Sequence, residues 1–251
     1  MTVRFAIVVD DNDARRVRRN ELVGIALLER TLIDPPRGAA CKTWAQQLRS
    51  TFPNATLVPY AWHLLTHARE DGLRDRGSRS LPGDDHAFGR LAPTEENAAA
   101  MGVMAQVVES LQTDTLAIRT PPGLTPGAIG RKRIAEFVRA RGEQGIGVVW
   151  EPEGLWTPLE AMAAASGAQV LLPAFEGGRP QRVDDGPVLA APGAWLRVDG
   201  AGPRRSIHGG HVDALVEHIE DLGGATLVFT GPRAAANLQL VAETLIAEDL
   251  V

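Results

Sequence analysis

The chain has 251 residues, of which 44% are hydrophobic and 23% charged, the balance of an ordinary globular protein, and this excludes a disordered one. A formal net charge of -5 gives no overall attraction to nucleic acid or to an anionic membrane. The one cysteine, Cys41, excludes an intrachain disulfide or a cysteine-based zinc cluster and, between its neighbours Lys42 and Trp44, reads as a structural thiol.

The run from Met1 to Asp13 is too short and ends too acidic for a secretory signal or a membrane span, so a soluble, cytoplasmic protein is expected. Short apolar runs bounded by turn residues then alternate with segments of helical period. Eight strand candidates follow in order: Val3–Val9, Leu22–Leu28, Ala55–Tyr60, Thr115–Arg119, Gly147–Trp150, Gln169–Leu172, Ala194–Val198 and Thr226–Phe229. Most are apolar on both faces, as buried parallel strands require. Between them, Thr125–Pro126 opens a helix running through Ile134, Phe137 and Val138 to Gly142. Thr157–Pro158 opens another that ends at Gly167, and a third starts near Pro232 with Ala236, Leu240 and Leu245 facing inward. Residues 68–93 have no hydrophobic period and read as a long, mobile loop between strand and helix. The pattern predicts an α/β fold, a single (β/α)8 TIM-type barrel occupying residues 1–251 as one domain.

Short blocks at the strand ends carry a resemblance. They are Thr31–Leu32–Ile33–Asp34–Pro35–Pro36, Ala61–Trp62–His63–Leu64–Leu65–Thr66–His67, Arg119–Thr120–Pro121–Pro122 and Trp150–Glu151–Pro152–Glu153–Gly154–Leu155–Trp156. Further on stand Arg197–Val198–Asp199–Gly200, Phe229–Thr230–Gly231 and Ala236–Asn237. In this order and spacing the chain resembles the YecE-like family, domain of unknown function seventy-two, whose members are barrels of this type. Departures from the family pattern fall at polar positions. The glycine-rich turn after strand one becomes Val8–Val9–Asp10–Asp11–Asn12–Asp13, and the family's glutamate on strand two is matched by Leu27. A Glu-x-Arg pairing becomes Glu151–Pro152–Glu153, Arg-x-His-Gly becomes Arg197–Val198–Asp199–Gly200, and Phe-Asn-Asn becomes Phe229–Thr230–Gly231. The resemblance is to a divergent or degenerate member.

In a barrel the working side chains stand at the C-terminal ends of strands and in the loops after them. Glu151 ends a very apolar strand and is the leading acid–base candidate, with Arg197 as an ion-pair partner or as an anchor for a ligand oxyanion; a purely structural Glu151–Arg197 pair weighs equally. His67 is the third catalytic candidate, against a capping role, since no nucleophile elbow accompanies it. Trp62, Trp156, Arg119, Asp199 and Asn237 are candidate substrate contacts, and Glu29, Arg30 and His63 fall in the same zone. Asp10, Asp11 and Asp13 are the minority candidates for a divalent metal, against Asp13 capping a helix; no other cofactor is predicted. His208–Gly209–Gly210–His211 lacks a matching ligand pair for zinc and reads as a turn opening a helix, with Arg204 and Arg205 as an exposed pair before it.

Three functions remain open: a small-molecule site, catalytic or formerly so, at the mouth of the barrel; a non-catalytic binding or scaffold barrel; and, last, a metal-dependent phosphodiesterase or nuclease. A small-molecule ligand is the leading expectation for a partner, nucleic acid the minority one, and no membrane is expected; the sequence leaves a protein partner open.

Overall fold

The computed structural model describes residues 2–9, 20–176, 179–180, 193–200 and 206–247. All eight expected strands form: β1 (Thr2–Val9), β2 (Val23–Leu28), β3 (Thr56–Pro59), β4 (Thr115–Thr120), β5 (Gly147–Pro152), β6 (Gln169–Pro173), β7 (Ala194–Val198) and β8 (Gly224–Phe229). Their order in the sheet is β3-β2-β1-β8-β7-β6-β5-β4, so sheet neighbours are also chain neighbours, and β1 lies beside β8. The helices are α1 (Arg30–Ile33), α2 (Gly38–Thr51), α3 (His63–Thr66), α4 (Glu95–Leu111), α5 (Ala128–Gly142), α6 (Pro158–Ala164), α7 (Gly209–Asp221) and α8 (Ala234–Ala247). Parallel strands joined through helices in this order are the connectivity of the (β/α)8 fold.

By internal packing the chain forms two compact units, with β2, β3 and β6 contributing to both: one of residues 1–26, 51–56 and 171–251, the other of 27–50 and 57–170. In the first, β8 is the central strand. Its six residues are all buried, and it pairs in parallel with β1 (Phe5 opposite Leu227) and with β7 (Leu227 opposite Leu196). Helix α8 buries Ala234, Asn237, Leu238, Val241, Ala242 and Leu245. The expected inward residues were Ala236, Leu240 and Leu245; only Leu245 points in, while Ala236 and Leu240 are exposed. Almost every residue of this helix is apolar or small, so its period does not define which face is buried.

In the second unit β4 and β5 pair with Ile118 opposite Trp150 and Arg119 opposite Glu151. A parallel bridge between Tyr60 and Ala117 brings the end of β3 to β4. Helix α6 starts as the sequence predicts: Thr157 accepts from the Glu160 N–H and Glu160 reaches back to the Thr157 N–H, a capping box with Pro158 in the first turn. Helix α5 instead starts two residues beyond Pro126, capped by Gly127. Cys41 is buried, as expected.

Residues 68–93 contain two short 3-10 turns, Arg69–Asp71 and Leu73–Arg76. Phe88 is buried, and Asp34 accepts hydrogen bonds from the Ser78 N–H and hydroxyl and from the Arg79 N–H at 2.7–3.1 Å. Burial would raise the Asp34 carboxyl, but these bonds from Ser78 and Arg79 outweigh it and hold it below the usual range. The far end is tied to α4 through Asn97. Its amide donates to the carbonyls of Gly89 (3.0 Å) and Ala92 (2.8 Å), and its oxygen accepts from the Gly89 N–H (2.9 Å). Gly89 has φ +89°, and a Cβ there would stand 2.3 Å from the His67 carbonyl oxygen, so only glycine lets the loop return this close.

Asn97→Ala leaves the buried Gly89 N–H without its acceptor and takes one of two donors from each of the Gly89 and Ala92 carbonyls, and is expected to cost about 1–3 kcal/mol. Urea unfolding of this variant, beside the exposed control Ala99→Ser, checks it; equal midpoints would show that the loop end is not anchored there.

Candidate functional site

The most concentrated polar cluster of the second unit gathers on one guanidinium. Arg119, on β4, donates from Nε to Glu151 Oε2 at 2.9 Å and from Nη1 to Glu29 Oε1 at 2.6 Å. Glu153 Oε1 lies 3.9 Å from Nε. The Tyr60 hydroxyl donates to the same Glu151 oxygen at 2.8 Å, and the guanidinium carbon sits 4.9 Å from the Tyr60 ring centre, a cation–π contact. Local structure places each group. The parallel register sets Arg119 opposite Glu151, Tyr60 directly follows β3, and Glu29 directly follows β2. The Thr31 hydroxyl secures the last two, sharing its one hydrogen between the carbonyls of Leu28 (2.8 Å) and Tyr60 (2.7 Å). The loops after β4 and β5 also meet closely: Gly154 adopts φ +82°, and a Cβ there would be 2.6 Å from Pro122 Cα.

Glu151 is 3% exposed and Arg119 18% by side chain, while Glu29 is 32% exposed, so the cluster grades from buried to open. Burial, and then the Glu151 carboxylate, push the Tyr60 phenol well above its ordinary range, which keeps it a protonated donor. Burial alone would lower the Arg119 guanidinium, but Tyr60, Glu151 and Glu29 outweigh it and hold the group above its ordinary value. The cation is therefore permanent.

His67 is 5% exposed, with Nδ1 2.7 Å from the Thr66 hydroxyl. Burial, then His63 and Arg119, lower its pKa to about 4, so at neutral pH the ring is uncharged. His63 donates from Nδ1 to the Leu32 carbonyl at 2.8 Å and is likewise lowered, by burial first.

Several sequence candidates take structural places. Trp62 is fully buried and donates to the Ile33 carbonyl at 2.9 Å; Trp156 is 9% exposed and donates to the Leu124 carbonyl at 2.6 Å, edge-on to Trp150. Both indole N–H groups are thus engaged by backbone rather than turned toward a ligand. Arg30 packs on the Trp44 ring. In the other unit Arg197 donates from Nε to Asp199 Oδ2 at 2.9 Å, and the Thr230 hydroxyl donates to Asp199 Oδ1. Asn237 is buried there and accepts from the Ile207 N–H at 3.2 Å. His208 is the N-cap residue of α7, and its ring lies 3.9 Å from that of His211. Asp10, Asp11, Asp13, Arg204 and Arg205 lie outside the described residues. Among the described residues no group of three His, Cys, Asp or Glu side chains is placed to hold a metal ion.

The residue that sequence reasoning passed over is Tyr60, read only as the end of a strand. It is the one tyrosine of the chain and it stands at a strand's C-terminal end, the signal that could have marked it.

No family model and no curated protein matches the chain in sequence. Solved structures do resemble it. A DUF72 family protein from Enterococcus faecalis matches at 10% identity over 98% of this chain and 96% of its own, with a TM-score of 0.61. A DUF72 family protein from Thermotoga maritima matches at 13% over 89% and 85%, with a TM-score of 0.52. A fusion of a xylose isomerase-like TIM barrel with a 4-hydroxyphenylpyruvate dioxygenase matches at 10% over 100% of this chain and 45% of that one, with a TM-score of 0.57. The fold is that of the (β/α)8 TIM-type barrel. Two of these three structures come from the family that the strand-end blocks of the sequence resemble.

The folded His67 binds a proton only near pH 4, whereas an unfolded histidine binds one near 6.5. Stability contributed by the neutral ring is therefore complete above pH 6.5 and falls as pH drops from there toward 4, by about 3 kcal/mol in all. His67→Asn is expected to flatten this slope in urea unfolding between pH 7 and 4.5, leaving the part due to His63. An unchanged slope would mean that His67 titrates normally.

Proposed function

We propose that the chain is a divergent YecE-like protein with a small-molecule site at the C-terminal ends of β2 to β5. The observation that carries this reading is the convergence of Glu29, Tyr60, Arg119 and Glu151 from four successive strand ends onto one point, where barrels of this fold carry their chemistry. With Glu153 included, three carboxylates surround one guanidinium. An anion would be repelled by that excess of acceptors, so the ligand class is one that supplies donors: a neutral polyhydroxyl compound or an amine. Glu29 is the group a ligand reaches first, since it is the more exposed of the two carboxylates within hydrogen-bonding distance of Arg119, and Glu151 lies beneath it as the candidate acid–base residue. Arg119 positions both. Trp62 and Trp156, with their indoles tied to carbonyls, hold the segments after β3 and β5 rather than a ligand.

That same engagement favours a second reading, a barrel that keeps the constellation as a structural tie and works as a binding or scaffold protein. The metal-dependent phosphodiesterase reading rests only on Asp10, Asp11 and Asp13. No helix among the described residues is long and apolar enough to cross a membrane.

Native mass spectrometry of the purified protein, followed by thermal-shift screening of polyols, sugars and amines, distinguishes the first two readings. A small-molecule site predicts a bound or stabilising compound whose affinity falls at least about tenfold, 1.4 kcal/mol, in Glu29→Gln and Glu151→Gln. Variants that alter only the unfolding midpoint, with no compound bound by either protein, would support the scaffold.

A further inference from the structure

A cavity of about 240 Å³ opens under residues 69–88 and shares no residue with the Arg119 cluster; His63, Arg69, Arg74, Arg79, Asp85 and Phe88 are among the side chains lining it. Three of these are arginines. Arg79 is fixed by a hydrogen bond from Nη1 to the Pro35 carbonyl, and Arg69 reaches Asp85 at 3.0 Å while remaining largely exposed. Arg74 differs from both. Its side chain is only 11% exposed, and its Nη1 is used twice, toward the Asp85 carbonyl (3.0 Å) and carboxylate (3.1 Å). Its guanidinium carbon is 5.0 Å from the Phe88 ring centre, which holds the group in place. Its Nε and Nη2 are buried and have no hydrogen-bond partner.

Nε and Nη2 form the side edge of a guanidinium, the fork that grips two oxygens of one oxyanion. Buried donors are rarely left unpaired in folded proteins, and an exception calls for a missing partner. The adjoining cavity is small, and its three cationic side chains outnumber Asp85 and Asp75. A planar carboxylate offers two oxygens, whereas a phosphate offers three and a larger charge, the better match to three arginines. We propose that this cavity is a binding site for phosphate or for the phosphate group of a small metabolite, held side-on by Arg74 and flanked by Arg69 and Arg79. Arg74 tightens onto the ligand as its edge is filled, with Asp85 keeping the guanidinium in register.

Isothermal titration of inorganic phosphate into the full chain, at fixed ionic strength balanced with chloride, tests this, with acetate run in parallel. Saturable binding of one phosphate is expected, weakened at least about tenfold in Arg74→Lys, which keeps the charge but loses the fork. Asp85→Asn is expected to bind severalfold more tightly, because it removes a competing charge and leaves the backbone carbonyl contact. The proposal is overturned if phosphate does not saturate, if acetate binds as well, or if folded Arg74→Lys binds like the parent. Should Arg74→Lys fail to fold, Asp85→Asn decides alone: binding that is unchanged or weaker overturns it.

Discussion

One largely buried guanidinium organises the ends of β2 to β5 in the larger unit. Arg119 stands on the apolar strand β4 with its side chain only 18% exposed, where an unpaired charge would be costly, and the fold brings acceptors to it. Glu151 comes by parallel register, Glu29 by the turn after β2, and the Tyr60 ring covers the guanidinium face while its hydroxyl completes Glu151. Each partner comes from a different strand. The ends of β2, β3, β4 and β5 are thereby tied through one group, and the loops that follow inherit their starting positions from it.

The loop after β3 shows how this positioning propagates. Tyr60 is pinned by Thr31, and the chain then runs through the buried Trp62 and His63 before Asp34 and Asn97 tie down the segment that follows. The blocks that resemble the YecE-like family are largely these ties. Several of their polar atoms meet backbone carbonyls, and the fold is one that solved structures share at 10–13% identity.

The strands were legible because buried parallel strands are written as short apolar runs, and every one was found to within a few residues. Helix α6 was legible because its Thr, Pro and Glu form a local cap. Helix α8 was misread in face because a helix of alanines and leucines has little amphipathic contrast. The site was legible in part: Arg119 and Glu151 are charges at the ends of apolar strands, an anomaly that sequence displays. The roles of Trp62 and Trp156 were not legible, since the carbonyls that hold their indoles, Ile33 and Leu124, lie 29 and 32 residues away in the chain. Tyr60 escaped notice because a tyrosine at a strand end reads equally as core, and only the fold brings its hydroxyl to Glu151.

The central claim is that Arg119 and Glu151 depend on each other as a buried pair. A double-mutant cycle with Arg119→Met and Glu151→Leu, followed by urea unfolding, tests it most directly. Arg119→Met removes the cation beside the buried Glu151 carboxylate and is predicted to cost about 3–5 kcal/mol. Glu151→Leu leaves Arg119 paired with Glu29 but takes the acceptor from the Tyr60 hydroxyl, and is predicted to cost about 1–3 kcal/mol. The double variant costs less than the sum of the two. Additive losses, with no coupling between the two positions, would contradict the account.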